Sequence, residues 1–343
     1  MTSLRNLSAP LTSIDKRLQV VSYLAAILVI VNCFLLGLVP IDRRWKTSQN
    51  TGLKLAYATL LTSSDAEYDE YLLSARILNY QLLHSRQTGT SSFIPFLILV
   101  TPDVPEWKRS NLTDEGALIV EVDKLDTKRM TPLFDRWRDV MVKLRLFQLT
   151  EYDRILFLDA DTFLLKSLDG VFWDSAVKPR NTKSVAKVMS DEAGLPDSYL
   201  FATLPEVQNK IHSYPPVRIS YFNAGFFLFS PSKKLFNYYI SLLELERRFD
   251  STYPEQNLLN YAHRENGNMP WLRMSHHWNI NLPNSNDVEK GVASVHSKLW
   301  AGGNVLEPTE PVLRKRWQLV RDEMERFYAE RNNGRNVKAQ SGT

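Results

Sequence analysis

Two aspartates stand one residue apart at the end of an apolar run. Residues 152–165 read YDRILFLDADTFLL, so Asp159 and Asp161 emerge after ILFL and before TFLL. Carboxylate oxygens suit hard divalent cations such as magnesium and manganese. A cation held there can also take diphosphate oxygens and set positive charge beside a nucleotide leaving group. Asp-x-Asp by itself occurs equally in solvated turns. The apolar frame on either side raises its meaning, because a buried strand then delivers both acids to one loop at a strand C-terminus.

The elements that position these acids follow from the apolar runs around them. Residues 53–61 (LKLAYATLL) and 93–100 (FIPFLILV) read as buried strands, 118–122 adds another, and 155–158 (ILFL) is fully apolar. Between them, residues 66–83 and 134–149 carry apolar side chains at helical spacing. This alternation predicts an α/β fold with a mostly parallel sheet covered on both faces. Farther on the pattern loosens into a loop-rich stretch over 178–216, a strand over 226–229 and a helix over 232–249. Residues 311–331 predict a closing helix, with Pro311 in the first turn and Leu313, Trp317, Val320, Met324 and Phe327 as a stripe packed on the core. The polar tail 332–343 is predicted to be disordered.

Composition narrows the chemistry further. The 343 residues carry a net charge of +4 from 42 basic and 38 acidic side chains, without the concentrated excess of a nucleic-acid binder. Cys33 is the single cysteine, so neither an intramolecular disulfide nor a cysteine-rich zinc site can form. A metal here takes oxygen and imidazole ligands.

Phosphatases of the haloacid dehalogenase type also place Asp-x-Asp after a buried strand and use the first Asp as nucleophile. Their motif has Thr or Val four residues after that Asp, where this chain has Phe163, and a later acidic pair that is missing here. The better match is glycosyltransferase family 8, the glycogenin-like enzymes, which the chain resembles over roughly residues 53–300. ATLLTSSDAEYDEYLLSA resembles the family's uridine-binding start and implies base contacts from Leu61, Thr62 and Tyr71. Lys143, in VKLRLFQLTEYDRILFLDADT, matches the helix lysine that meets the sugar donor. YFNAGFFLFSPS resembles the Phe-Asn-Ser-Gly-Val segment and places Asn223, Ala224 and Gly225 beside the sugar. PEQNLLN resembles Asp-Gln-x-x-Leu-Asn, which gives Glu255 and Gln256 the sugar-side positions, and Asp191 in KVMSDEAGLPD resembles a further sugar-binding acid.

The family's late His-x-x-Gly-x-x-Lys-Pro-Trp segment supplies a third metal ligand, here His296 in VHSKLWAGG. Lys298 and Trp300 stand closer to the histidine than in the family pattern, with no glycine between, and Lys298 substitutes for the diphosphate lysine. The resemblance implies a single GT-A-type nucleotide-diphospho-sugar transferase domain over 53–331. It further implies Mn2+ or Mg2+ held by Asp159, Asp161 and His296, and retaining transfer of a hexose or N-acetylhexosamine from a UDP-sugar to a hydroxyl of a glycan, a protein or a small metabolite. The alternative reading is a membrane-tethered nucleotide-sugar-binding protein without turnover.

Ahead of this domain, residues 18–41 (LQVVSYLAAILVIVNCFLLGLVPI) contain no charge. About 20 apolar residues cross a bilayer, and this run exceeds the roughly 7 to 15 of a cleaved signal peptide and lacks its small-residue cleavage site. It is predicted to be a single transmembrane anchor between a short tail, 1–17, and a stem, 42–52. Basic residues flank both ends, so charge alone leaves the topology open. Resemblance to membrane-anchored, fungal-type members implies a type II arrangement with the catalytic domain in the Golgi or endoplasmic reticulum lumen. Asn6 and Asn111 begin possible glycosylation sequons.

Overall fold

The computed structural model describes residues 52–62, 69–184, 190–192, 194–245, 247–301 and 310–341. A compact unit begins at Leu53. The expected anchor 18–41, the tail before it, nearly all of the stem and the Asn6 sequon lie outside the described residues. Among the described residues no helix is long and apolar enough to cross a membrane.

The first half alternates as the apolar runs predict: β1 (Leu55–Leu61), α1 (Glu70–Leu83), β2 (Phe96–Val100), α2 (Glu106–Asp114) and β3 (Leu118–Glu121). Helix α1 starts where Asp69 caps it. The Asp69 carboxylate accepts from the backbone N–H groups of Tyr71 and Leu72 and is itself held at 2.6 Å by the buried Lys108 ammonium. Asn111 falls within α2. Next comes a helix, Asp135–Gln148, wound as 3-10 turns where an α-helix was expected. The apolar spacing fits both, since Met141, Leu144 and Phe147 recur every third residue and are all buried. A three-residue turn also aligns Trp137, Val140 and Lys143 along one edge.

The remaining elements are β4 (Arg154–Leu158), β5 (Thr162–Leu164), β6 (Arg180–Asn181), β7 (Ser198–Tyr199), β8 (Phe201–Pro205), β9 (Phe222–Phe229), α3 (Lys233–Leu243), α4 (Pro254–Ala262), β10 (Leu272–Arg273), β11 (Ile280–Asn281), α5 (Ser285–Glu289), β12 (Ser294–His296) and α6 (Pro311–Ser341). Seven strands form the main sheet in the order β10-β8-β9-β4-β1-β2-β3. Strands β3, β2, β1 and β4 run parallel, β9 runs antiparallel between β4 and β8, and β10 is parallel to β8. Both faces are buried. Ile155 and Phe157 of β4 join Phe147, Phe201, Phe227 and Phe229 on one side, while Leu156 and Leu158 join Tyr57, Phe226 and Leu228 on the other.

One expectation gains detail and one needs correction. Within the loop-rich stretch 178–216, Phe201–Pro205 is a fully buried strand of the central sheet. Its sequence, FATLP, is short and ends in proline; a register shift between Thr203 and Pro205 lets the ring sit where no ladder N–H is needed. The tail predicted to be disordered from residue 332 instead continues α6 to Ser341. Once Leu313, Trp317, Met324 and Tyr328 are packed against Ile77, Tyr80, Phe163 and Val295, extending the helix needs no new nucleus and no proline stops it.

Candidate active site

The chain runs from β1 outward to β2 and β3, then returns to place β4 on the other side of β1. The strand order therefore reverses at the β1/β4 pair, and the crevice beyond their C-terminal ends is the default ligand position in such sheets. A cleft of about 850 Å³ opens there. Leu61 and Thr62 at the end of β1 and Tyr71 in the first turn of α1 line it, as do Asp159 and Asp161 after β4. So do Lys143, Asn223, Glu255, Gln256, His296 and Lys298.

The turn after β4 is held on both sides. The Asp159 N–H donates to the Gly225 carbonyl at 2.8 Å, and the Thr162 N–H closes the turn onto the Asp159 carbonyl at 2.9 Å. The chain then enters β5, which pairs antiparallel with β12, and the register sets His296 opposite Thr162. A histidine far along the sequence thus faces the acids, with Nε2 2.9 Å from Asp161 Oδ1 and 3.7 Å from Asp159 Oδ2. One ligand atom from each of Asp159, Asp161 and His296 lies within 4.8 Å of the others. Two carboxylates and an imidazole form a donor set that could hold a divalent cation. His296 Nδ1 has no hydrogen-bond partner among the described residues, so the ring's polar engagement is toward the acids.

Ala224 and Gly225 do not line the cleft but form its floor. A Cβ added to Gly225 would lie 2.3 Å from His296 Cε1 and 2.8 Å from Asp159 Oδ2. Only a residue without a side chain lets β9 pass this close beneath the ligand triad. The Ala224 N–H donates to Gln256 Oε1 at 2.9 Å.

Lys143 is buried, and its ammonium donates to Asp159 Oδ1 at 3.0 Å, Glu255 Oε1 at 3.1 Å and the Ala224 carbonyl at 3.3 Å. A lysine has three N–H donors, and all three are engaged within the protein. From its place in the cleft lining, Lys143 thus holds Asp159 and Glu255 together. Burial opposes its charge, but the two carboxylates more than reverse that and raise it above the ordinary lysine value. At Asp159 burial prevails over Lys143 and His296 and raises the carboxyl. Burial also pushes Asp161 up, yet the charge and hydrogen bond of His296 and the charge of Lys298 hold it below the ordinary range. His296 is pulled down by burial but carried up to about 8 by Asp161 and then Asp159.

Asp191 needs correction. It lies outside the cleft lining, where Tyr261 donates to it at 2.9 Å and Arg248 pairs with it at 3.3 Å. Its carboxylate is committed to packing α4 against the preceding loop. The acid that does reach the cleft is Glu206, accepting from Asn223 Nδ2 at 3.3 Å and Gln256 Nε2 at 3.2 Å. Tyr221 joins this group, accepting from Gln256 at 2.9 Å and donating to Asn257. Strand β8 runs parallel to β4, since both are antiparallel to β9, so Glu206 leaves the sheet at the same edge as Asp159. Reading FATLP as a strand would have found it. Trp137, Tyr253 and Asp250 also line the cleft, without any short motif to mark them.

Residues 68–297 match the family model described as glycosyl transferase family 8. Two uncharacterized Schizosaccharomyces pombe proteins are each 27% identical over 80% of this chain and cover 81% and 79% of their own lengths. Galactinol synthase 1 of Solanum lycopersicum is 29% identical over 49% of this chain and 50% of its own. The Arabidopsis thaliana UDP-glucuronate:xylan alpha-glucuronosyltransferase 1 is 29% identical over 54% of this chain and 27% of its own. Among solved structures, mouse xyloside xylosyltransferase 1 aligns with 74% of this chain and 99% of its own at 12% identity and a TM-score of 0.45.

Two outcomes are expected from this geometry. Gly225→Ala should remove manganese binding in titration calorimetry while far-ultraviolet circular dichroism stays unchanged, because the new methyl occupies space held by His296. In the metal-free protein His296 titrates near 8, above the unfolded value of about 6.5. The stability its charged pair contributes is thus complete below pH 6.5 and lost as pH rises through 8. Manganese must displace that proton, so its affinity should climb between pH 6.5 and 8.5, with proton release that calorimetry in buffers of different ionisation enthalpy detects.

Proposed function

The chain belongs to glycosyltransferase family 8 and is a glycosyltransferase, and from that premise we propose that it moves a hexose or N-acetylhexosamine from a UDP-sugar to an acceptor hydroxyl. In this reading the anomeric configuration is retained, manganese or magnesium is the ion, and the acceptor hydroxyl belongs to a glycan, a protein or a small metabolite. The observation that carries it is the Asp159, Asp161 and His296 triad, with ligand atoms within 4.8 Å of one another, at the switch point of the sheet. A relative named UDP-glucuronate:xylan alpha-glucuronosyltransferase 1 supports a UDP-linked donor here as well.

A divalent ion in the triad supplies Lewis-acid charge to the departing diphosphate. The protein's own groups do the rest. Leu61, Thr62 and Tyr71 receive the base, with the Tyr71 ring fixed edge-on to Trp300 at 5.3 Å. Lys298, 5.9 Å from the Tyr71 ring centroid, brings a cation to the diphosphate side. Glu255, held at one oxygen by Lys143, presents a carboxylate to the positive charge that develops on the sugar. Gln256 has its amide engaged by Ala224, Glu206 and Tyr221, so it sets the shape of the sugar pocket. In the front-face reaction the anomeric carbon's bond to the diphosphate oxygen breaks as the acceptor oxygen bonds on the same side. The acceptor's proton passes to the departing diphosphate, and no enzyme nucleophile is needed.

Incubation of the domain with a panel of UDP-sugars and manganese should release UDP from at least one. Asp161→Asn should lower apparent manganese affinity by about 100-fold or more, beyond the 10 to 100-fold typical of outer-shell changes, with the far-ultraviolet circular dichroism unchanged. Unchanged manganese dependence of UDP binding in that variant refutes the site. We further propose that residues 18–41 anchor the enzyme in the membrane with the domain in the Golgi or endoplasmic reticulum lumen, supported by the length of that uncharged run. Deleting residues 1–41 should then yield a domain extracted by carbonate; a deletion still resisting carbonate sinks the assignment.

A further inference from the structure

Aromatic contacts occur at two places along the cleft. Tyr71, which lines it with Thr62 and Lys298, stands edge-on to Trp300 behind it. Trp137 and Tyr253 form the other contact, with ring centroids 5.4 Å apart and planes at 32°. Phe134 stands edge-on to Trp137 at 4.7 Å. This second group is not core: Leu133 is 56% exposed, Phe134 48% and Tyr253 47%. Of this group Trp137 and Tyr253 line the cleft and give it an apolar ledge, in a lining that also holds Asp250, Glu206 and Glu255.

Its position is fixed by the elements that carry the reacting end. Trp137 shares one edge of the 3-10 helix with Lys143, two turns away, which at about 2 Å per residue sets it about 12 Å from the lysine that holds Asp159 and Glu255. Tyr253 is the residue from which α4 starts, two positions before Glu255. Asp250 also lines the cleft and is steadied through Oδ1 by the N–H and hydroxyl of Thr252 at 2.8 and 2.6 Å. An aromatic surface in a cleft that a carboxylate also lines suits a ligand having one face of slightly positive C–H groups and a rim of hydroxyl donors. A pyranose has that form.

We infer that the Trp137 and Tyr253 ledge is the acceptor subsite and that the acceptor presents a pyranose ring, its face on Trp137 and its hydroxyls toward Asp250. This deepens the UDP-sugar reading by naming the acceptor's class and rests on it for the identity of the other half of the cleft. The ledge lies beyond the reacting centre, which selects a sugar at or next to the end of a glycan or glycoside.

The test titrates cellobiose, maltose and lactose, with sorbitol as a polyol lacking a ring face, into the protein with and without UDP and manganese, followed by saturation-transfer NMR. At least one disaccharide should bind and sorbitol should not. Trp137→Ala should raise the dissociation constant about tenfold, equivalent to about 1.4 kcal/mol. Trp137→Phe should recover most of that loss, and Tyr253→Ala should weaken binding independently. UDP affinity in the presence of manganese reports folding of each variant and should be unchanged. The assignment is overturned if no disaccharide binds, if sorbitol binds equally, or if Trp137→Ala binds disaccharide as the parent does. It is also overturned if Trp137→Ala loses UDP instead, because the ring then belongs to the nucleotide. Failure of the parent protein to bind UDP defeats the nucleotide-sugar reading, while the titrations without UDP still decide the ledge.

Discussion

An ammonium removed from water needs every one of its protons engaged, and Lys143 meets that demand by drawing in three separate segments. Asp159 follows β4, Ala224 lies in β9 and Glu255 opens α4, and all three meet Nζ within 3.3 Å. Phe157 closes the remaining side, its ring centroid 4.7 Å from the ammonium. Removing one partner of such a buried pair strands the other charge, typically at a cost of about 3–5 kcal/mol. The lysine thereby fixes the distance between the turn carrying Asp159 and Asp161 and the Glu255 carboxylate at the start of α4.

The charges around this hub explain why the site calls for a cation. Asp159, Asp161, Glu206, Glu255 and Asp250 face the cleft against Lys143, Lys298 and a protonatable His296. With Lys143 engaged, a diphosphate entering this space meets a surplus of carboxylate, and the mutual repulsion is strong where water is scarce. A divalent ion between Asp159, Asp161 and His296 would reverse the balance. In the proposed reaction the same groups would repel an unaccompanied nucleotide and hold one that arrives with metal.

The sequence made part of this plain. ILFL before Asp159 located a strand end, and the runs at 53–61 and 93–100 located its neighbours, because strands buried on both faces read as unbroken apolar stretches. FATLP did not announce itself, and with it Glu206 was missed, since five residues with a threonine and a terminal proline carry too little pattern to separate strand from loop. The 3-10 winding of residues 135–148 was hidden because Met141, Leu144 and Phe147 satisfy periods of three and 3.6 alike. Asp191 was placed by likeness across a variable segment, and Arg248 and Tyr261 claim it in space. Trp137 and Tyr253 acquire meaning only once two elements remote in sequence bring their rings together.

The pairing of β5 with β12 carries a consequence for biosynthesis. Asp159 and Asp161 leave the ribosome long before His296, and the strand bearing His296 shares its buried cluster with Trp317, Met324 and Tyr328 of α6. The parallel core from β1 to β4 can collapse while translation continues. The cluster of Asp159, Asp161 and His296 cannot be completed until the chain has been made through His296. A nascent polypeptide stalled before His296 therefore leaves Asp161 without its imidazole partner and the apolar flank that α6 covers exposed, the kind of surface on which chaperones act.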